Sequence, residues 1–161
     1  MTIKEVIKNS LRYYSWRLQN PKKSFHEYYV STISHRINND KTHPTLGTNI
    51  KDSKRYYETA KIEKEFLIEQ GLLPEHIFVD YGCGSLRLGS VLIEYINKGN
   101  YIGLDVTNEF FELGKSLISY KLLENKKPIL KEINDESLNE LKHKVDYLMS
   151  SAVLYHIPPN E

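Results

Sequence analysis

An α/β fold built on a mostly parallel sheet is what this sequence predicts, on three observations. From Ile77 onward, short apolar runs alternate with helix-length amphipathic runs, as strands joined by right-handed crossover helices do. The first apolar run, Ile77-Phe78-Val79-Asp80-Tyr81, leads into a glycine turn, Gly82-Cys83-Gly84-Ser85. The second strand, Tyr101-Ile102-Gly103-Leu104, is followed by an acid, Asp105. Strand, glycine turn, helix, strand and acid in this order make half of a nucleotide-binding unit.

The elements follow in order. Ile3, Val6, Ile7, Leu11, Tyr14 and Leu18 recur at three- and four-residue spacings and predict an amphipathic helix over residues 3–19. Asn20-Pro21 stops it. Ser24 and Glu27 have capping-box spacing, so a second helix runs to about Ile37 with Tyr29, Ile33 and Ile37 on one face. Residues 38–52, rich in Asn, Asp, Pro, Gly and Thr, read as a loop. Ser53 caps a third helix with Tyr56, Ala60 and Leu67 on one stripe, and Gly71 ends it. The helix after the glycine turn starts near Ser85 and runs through Asn97. After Tyr101–Leu104 comes a helix from about Asn108 to Glu124, then a strand over Ile129–Ile133. Asp135 caps a short helix through Lys142, and a fourth strand covers Val145–Ser150.

The bulk composition narrows the classes. At 161 residues the chain is long enough for one domain with a real core. With 22 basic and 21 acidic residues it has a net charge of +1, so no polyanionic partner is forced and no clear nucleic-acid surface is expected. The single cysteine, Cys83, has no internal disulfide partner, which fits a cytoplasmic setting. No apolar run reaches bilayer-spanning length, so no membrane is expected as a partner. The histidines show no metal-ligand spacing, and no metal is expected.

Two readings of the glycine turn stand side by side: a tight strand-to-helix connection, or backbone kept bare for a ligand at the strand's carboxyl end. Asp105 likewise reads as a helix cap or as the acceptor for two ribose hydroxyls. Arg87 stands where a dinucleotide fingerprint needs its third glycine, and no Gly-Lys-Ser/Thr follows for a phosphate loop. Both of those cofactor classes are therefore disfavoured.

The run Val79-Asp80-Tyr81-Gly82-Cys83-Gly84-Ser85, Asp105, and the later Val145-Asp146-Tyr147-Leu148-Met149-Ser150-Ser151-Ala152-Val153-Leu154-Tyr155-His156-Ile157-Pro158 resemble class I S-adenosylmethionine-dependent methyltransferases. The resemblance covers roughly residues 53–161. It implies a Rossmann-like sheet of order 3-2-1-4 with helices on both faces, under an N-terminal helical cap of residues 1–52. It implies S-adenosyl-L-methionine as cofactor and a small-molecule or other unidentified methyl acceptor. Gly82 and Gly84 would face the methionine part of the cofactor, Asp80 its ammonium group, and Asp105 the ribose. Tyr81, Cys83 and Val106 flank those positions and are cofactor-binding candidates with them. Asp135 would lie against adenine, Ser150 and Ser151 would line the pocket, and Tyr56 and Tyr57 would sit on a closing helix. Leu86 stands where many members carry a third glycine. The family's sheet has seven strands, so the chain is expected to be truncated after the fourth, leaving an edge for self-association.

His156 reads either as a base near the acceptor or as an ordinary loop histidine; no other catalytic residue suggests itself. Cys83 reads as a space-filler rather than a nucleophile. Arg87 reads as a guide for an anionic acceptor or as a cap for local carbonyls. Two functions follow: a methyltransferase, or a truncated, non-catalytic S-adenosylmethionine-binding or interaction module.

Overall fold

The structure, a computed structural model, describes residues 3–40, 42–43, 48–49, 53–141, 144–151 and 153. Helix α1 (Ile3–Gln19) and helix α2 (Phe25–His35) form an N-terminal hairpin. The predicted capping box starts α2: Ser24 Oγ accepts from the Glu27 amide at 3.2 Å, and Glu27 Oε2 accepts from the Ser24 amide at 2.8 Å. Aromatic rings close the hairpin. Tyr13 lies 5.2 Å from Phe25, edge to face, and 5.1 Å from Tyr28, while Trp16 lies 5.2 Å from Tyr28. This packing corrects the expected apolar stripe of α1. Tyr13 is buried, whereas Leu11, Tyr14 and Leu18 face outward at 64%, 56% and 84% exposure. After a π-turn over Arg36–Asp40, the expected loop holds a two-residue antiparallel pairing of β1 (Thr42–His43) with β2 (Thr48–Asn49).

Helix α3 (Ser53–Glu69) buries Tyr56, Ala60 and Leu67 as predicted, and Gly71 ends it with φ +92°. The core then alternates. It comprises β3 (Phe78–Tyr81), α4 (Gly89–Tyr95), β4 (Tyr101–Asp105), α5 (Asn108–Lys115), α6 (Tyr120–Lys126), β5 (Ile129–Glu132), α7 (Asp135–Glu140) and β6 (Tyr147–Met149). All four core strands are parallel, in the order β5-β4-β3-β6. That is the expected 3-2-1-4 order. On one face Phe78, Tyr101, Leu72, Leu86, Leu92, Ile96 and Phe111 form the larger core, with α3, α4, α5 and α6 supplying its cover. On the other face Val79, Ile102 and Leu104 pack with Tyr81, Ile133 and Leu141, the last at the end of α7. Among the described residues β6 is an edge strand, and its Leu148 is 62% exposed.

Three helix boundaries differ from expectation. The single helix over 108–124 is broken into α5 and α6. Ser116 Oγ donates to the Leu113 carbonyl at 2.6 Å, the local competition that ends helices, and Tyr57 Oη donates to the freed Leu117 carbonyl at 3.3 Å. The cap of α7 is Asn134 rather than Asp135: Asn134 Oδ1 accepts from the Ser137 amide at 2.8 Å. Helix α4 begins at Gly89 rather than near Ser85, because residues 84–88 form consecutive turns. Leu86 sits inside them with φ +57°, a left-handed conformation that favours glycine. Leucine holds the position because its side chain is fully buried in the larger core. The bend occurs at the position where the resemblance implied a third glycine, and packing stands in for glycine's freedom.

Candidate functional site

The site lies at the carboxyl ends of β3 and β4, where parallel sheets bind ligands. Each strand contributes an acid. Asp80 and Phe78 point to the α4 side of β3, and Tyr101, the register partner of Phe78, reaches up from β4. Tyr101 Oη donates to Asp80 Oδ2 at 2.7 Å. Burial pushes the Asp80 carboxyl up to about 7, against the lowering effect of the Tyr101 hydroxyl and with the charges of Asp105 and Glu63 adding to the rise.

That shift has a consequence for stability. A carboxyl with a folded-state pKa above its unfolded one favours the fold most at low pH. The contribution is lost as pH climbs from the ordinary 3.8 toward about 7, and it is flat above that. Asp80→Asn keeps the acceptor for Tyr101 without an ionisable group. Urea unfolding of the wild type should lose up to roughly 4 kcal/mol relative to Asp80→Asn between pH 4 and pH 8. Parallel pH profiles for the two proteins would refute the assignment.

Asp105 closes the glycine turn. Its Oδ2 accepts from the Gly84 amide at 2.6 Å and its Oδ1 from the Val106 amide at 2.7 Å. The Gly82 and Cys83 amides both donate to the Leu104 carbonyl, at 2.8 and 3.0 Å. The amides of Gly82, Cys83 and Gly84 are thus all tied to β4. Asp105 is buried, which raises its pKa, while the two amides lower it. A carboxylate has about four acceptor positions, so each oxygen keeps one beyond its backbone partner. Two acceptors held side by side suit a vicinal diol.

The glycines of the turn are explained in part by the chain itself. Gly82 (φ +80°) and Gly84 (φ +52°) are both left-handed, the conformation glycine adopts without strain. A Cβ on Gly82 would fall 2.2 Å from Val153 Cγ2, so the segment after β6 packs directly on the turn. Cys83 fills space beside Gly103, whose added Cβ would lie 3.1 Å from its sulfur. Burial pushes the Cys83 thiol well above its usual range, which makes it inert. A Cβ on Gly114 of α5 would lie 2.3 Å from the Ser85 carbonyl oxygen, so that helix touches the turn backbone to backbone.

Helix α3 clamps the turn from the other side. Tyr56 Oη donates to the Ser85 carbonyl at 2.7 Å. Arg87 Nη2 pairs with Glu63 Oε1 at 2.6 Å and also donates to Ser151 Oγ at 3.3 Å. Ser151 Oγ donates to Glu63 Oε1 at 3.3 Å. Among the described residues Arg87 pairs with a carboxylate and a hydroxyl rather than with a carbonyl. It joins α3, the turn and the residues after β6. Glu63 was not singled out in the sequence, although the signal is there: Tyr56, Ala60, Glu63 and Leu67 share one helical stripe, and a carboxylate on a buried stripe needs a partner.

The remaining candidates separate. Val106 is half-buried beside Asp105, and Ser151 is half-buried in the Arg87 cluster. Tyr81 packs with the opposite core face, and Ser150 is exposed. Asp135 is exposed in the first turn of α7. His156 lies outside the described residues.

No protein-family model matches the chain, and no curated protein matches it. Solved structures do match. Magnesium protoporphyrin IX methyltransferase (ChlM) from Synechocystis PCC 6803 with bound SAM aligns with a TM-score of 0.58 at 22% identity, over 83% of this chain and 62% of that one. The same protein with bound SAH aligns with a TM-score of 0.58 at 21% identity, over 83% and 59%. The chain thus spans about three fifths of the length of these neighbours. The likeness is one of fold, a Rossmann-like α/β sheet.

Proposed function

We propose that this chain binds S-adenosyl-L-methionine and belongs to an enzyme that transfers its methyl group to a small-molecule acceptor. The observation that carries the reading is Asp105, fixed by one backbone amide on each oxygen and left with two acceptors for the ribose hydroxyls. The matching fold supports it, since both aligned structures hold this cofactor or its demethylated product. Asp80, Tyr81, Gly82, Cys83, Gly84 and Val106 complete the proposed cofactor contacts, with Tyr81 and Cys83 contributing backbone alone. Asp80, poised near neutrality, would give up its proton to pair with the cofactor's ammonium group. Asp135 would reach adenine, and Ser150 and Ser151, just after β6, would line the pocket. The bound cofactor supplies a methyl group already activated by its sulfonium, so the protein's task is alignment and exclusion of water.

In this reading residues 1–52 form a cap over the core of residues 53–161. Tyr29 of α2 supports it, because its ring lies 6.4 Å from Phe110 of α5. Burial, and then the charge of Asp105, pushes the Tyr29 hydroxyl up to about 12. β6, at the edge of the sheet among the described residues, suits pairing with another strand, including one from a second copy.

A second reading is a binding module without chemistry, since a likeness of fold alone does not show catalysis. Incubation with methyl-labelled S-adenosylmethionine and a panel of small acceptors separates the two. Label in any acceptor, absent with Asp105→Ala, supports the enzyme. Saturable cofactor binding with no transfer across the panel supports the module.

A further inference from the structure

We propose that helix α1 docks on the surface of an anionic lipid bilayer, inserting Leu11, Tyr14 and Leu18 among the headgroups. The nucleotide site plays no part in this. At 3.6 residues per turn, these three side chains fall within an arc of about 60° on α1. All three are largely solvent-exposed, at 64%, 56% and 84%. They are not the residues that hold α1 to the protein. Tyr13 and Trp16 do that, through Phe25 and Tyr28 of α2. An amphipathic helix commonly turns its apolar face inward, and here the hairpin turns a leucine and tyrosine stripe outward. A contiguous exposed apolar stripe marks a contact surface.

Charge selects the occupant. Residues 1–23 carry six basic side chains (Lys4, Lys8, Arg12, Arg17, Lys22 and Lys23) and one acidic, Glu5, a net of +5. The whole chain is +1, so the remaining 138 residues carry 16 basic against 20 acidic side chains, a net of −4. Arg12 and Arg17 stand on opposite sides of the apolar stripe, about 130° and about 90° from its centre. Arg12, Lys22 and Lys23 are exposed. An outward apolar stripe flanked by cations is the composition of a helix that lies in an anionic lipid interface. Tyrosine suits the same depth, with its ring among acyl chains and its hydroxyl in water. Among the described residues no helix is long and apolar enough to cross a membrane, so the contact is peripheral.

Co-sedimentation with sucrose-loaded vesicles tests this on the full chain. The wild type should pellet with vesicles of mixed phosphatidylglycerol and phosphatidylcholine, and about tenfold less with phosphatidylcholine alone. Raising salt should release it. Leu11→Glu/Leu18→Glu should weaken binding by about a hundredfold or more, because two buried leucines are lost. Both positions are exposed, so its melting temperature should match the wild type and separate lost docking from lost folding. No pelleting, equal pelleting on both compositions, or full binding by the double variant would overturn the proposal. So would a wild-type dimer that the double variant dissolves while vesicle binding is absent, which would assign the stripe to a second copy.

Discussion

Arg87→Met should destabilise the protein by about 3 kcal/mol in urea unfolding, since it strands a carboxylate whose countercharge is gone. The pair is largely withdrawn from solvent, with the Arg87 and Glu63 side chains 9% and 18% exposed. Glu63 Oε2 already has no hydrogen-bond partner among the described residues. Removing the guanidinium would leave Oε1 with only the Ser151 hydroxyl. The double variant Glu63→Gln/Arg87→Met removes the stranded charge and should recover most of the loss, giving a coupling of about 1.5–3 kcal/mol in a double-mutant cycle. Additive losses from the two single variants would show that the pair does not act as a unit. Because the pair ties α3 to the turn, Arg87→Met should also weaken cofactor binding in the proposed reading.

Asp105→Ala has the larger functional effect. In the proposed site it removes both hydrogen bonds to the ribose diol, each to a charged acceptor and worth about 1.5–3 kcal/mol. S-adenosylhomocysteine should then bind about 100-fold more weakly or worse. The same substitution leaves the Gly84 and Val106 amides without their partner, so some stability is lost too. Asp105→Asn separates the effects. It keeps one acceptor oxygen and the side-chain shape, and should bind about tenfold more weakly while staying folded. Equal affinity in wild type and both variants, measured by titration calorimetry, would remove Asp105 from the site.

Much of this architecture was legible in the sequence, for a physical reason. Parallel strands buried on both faces read as unbroken apolar runs, and β4 is buried at all five positions. Local chemistry also showed through: the capping box at Ser24 and the glycine stop at Gly71 depend on neighbours in the chain. Breaks set by distant contacts did not show. The α5/α6 division is stabilised by Tyr57, 60 residues away from the Leu117 carbonyl it caps. The stripe of α1 was legible as a stripe, but periodicity does not say which way an amphipathic helix faces. Tyr13 and Trp16 gave the hairpin a second face to bury.

The candidate site divides the same way. Asp105 and Gly84 were paired by order and spacing along β3, the turn and β4, and the structure joins them by a hydrogen bond. The clamp of Glu63, Arg87 and Ser151 spans 88 residues and has no spacing rule behind it. Only the misfit of a carboxylate on a buried stripe hinted at it. The left-handed Leu86 was hidden for the opposite reason, since leucine reports its buried side chain and not its backbone.

The central claim is that the turn and Asp105 hold an S-adenosyl nucleoside. Calorimetric titration of the wild-type chain with S-adenosylhomocysteine, with a nicotinamide dinucleotide as the control ligand, tests it most directly. The account predicts saturable binding at one site, tightening as pH rises through about 7 as Asp80 ionises beside the ligand's ammonium group, and no competition from the dinucleotide. No heat of binding, or displacement by the dinucleotide, would contradict it.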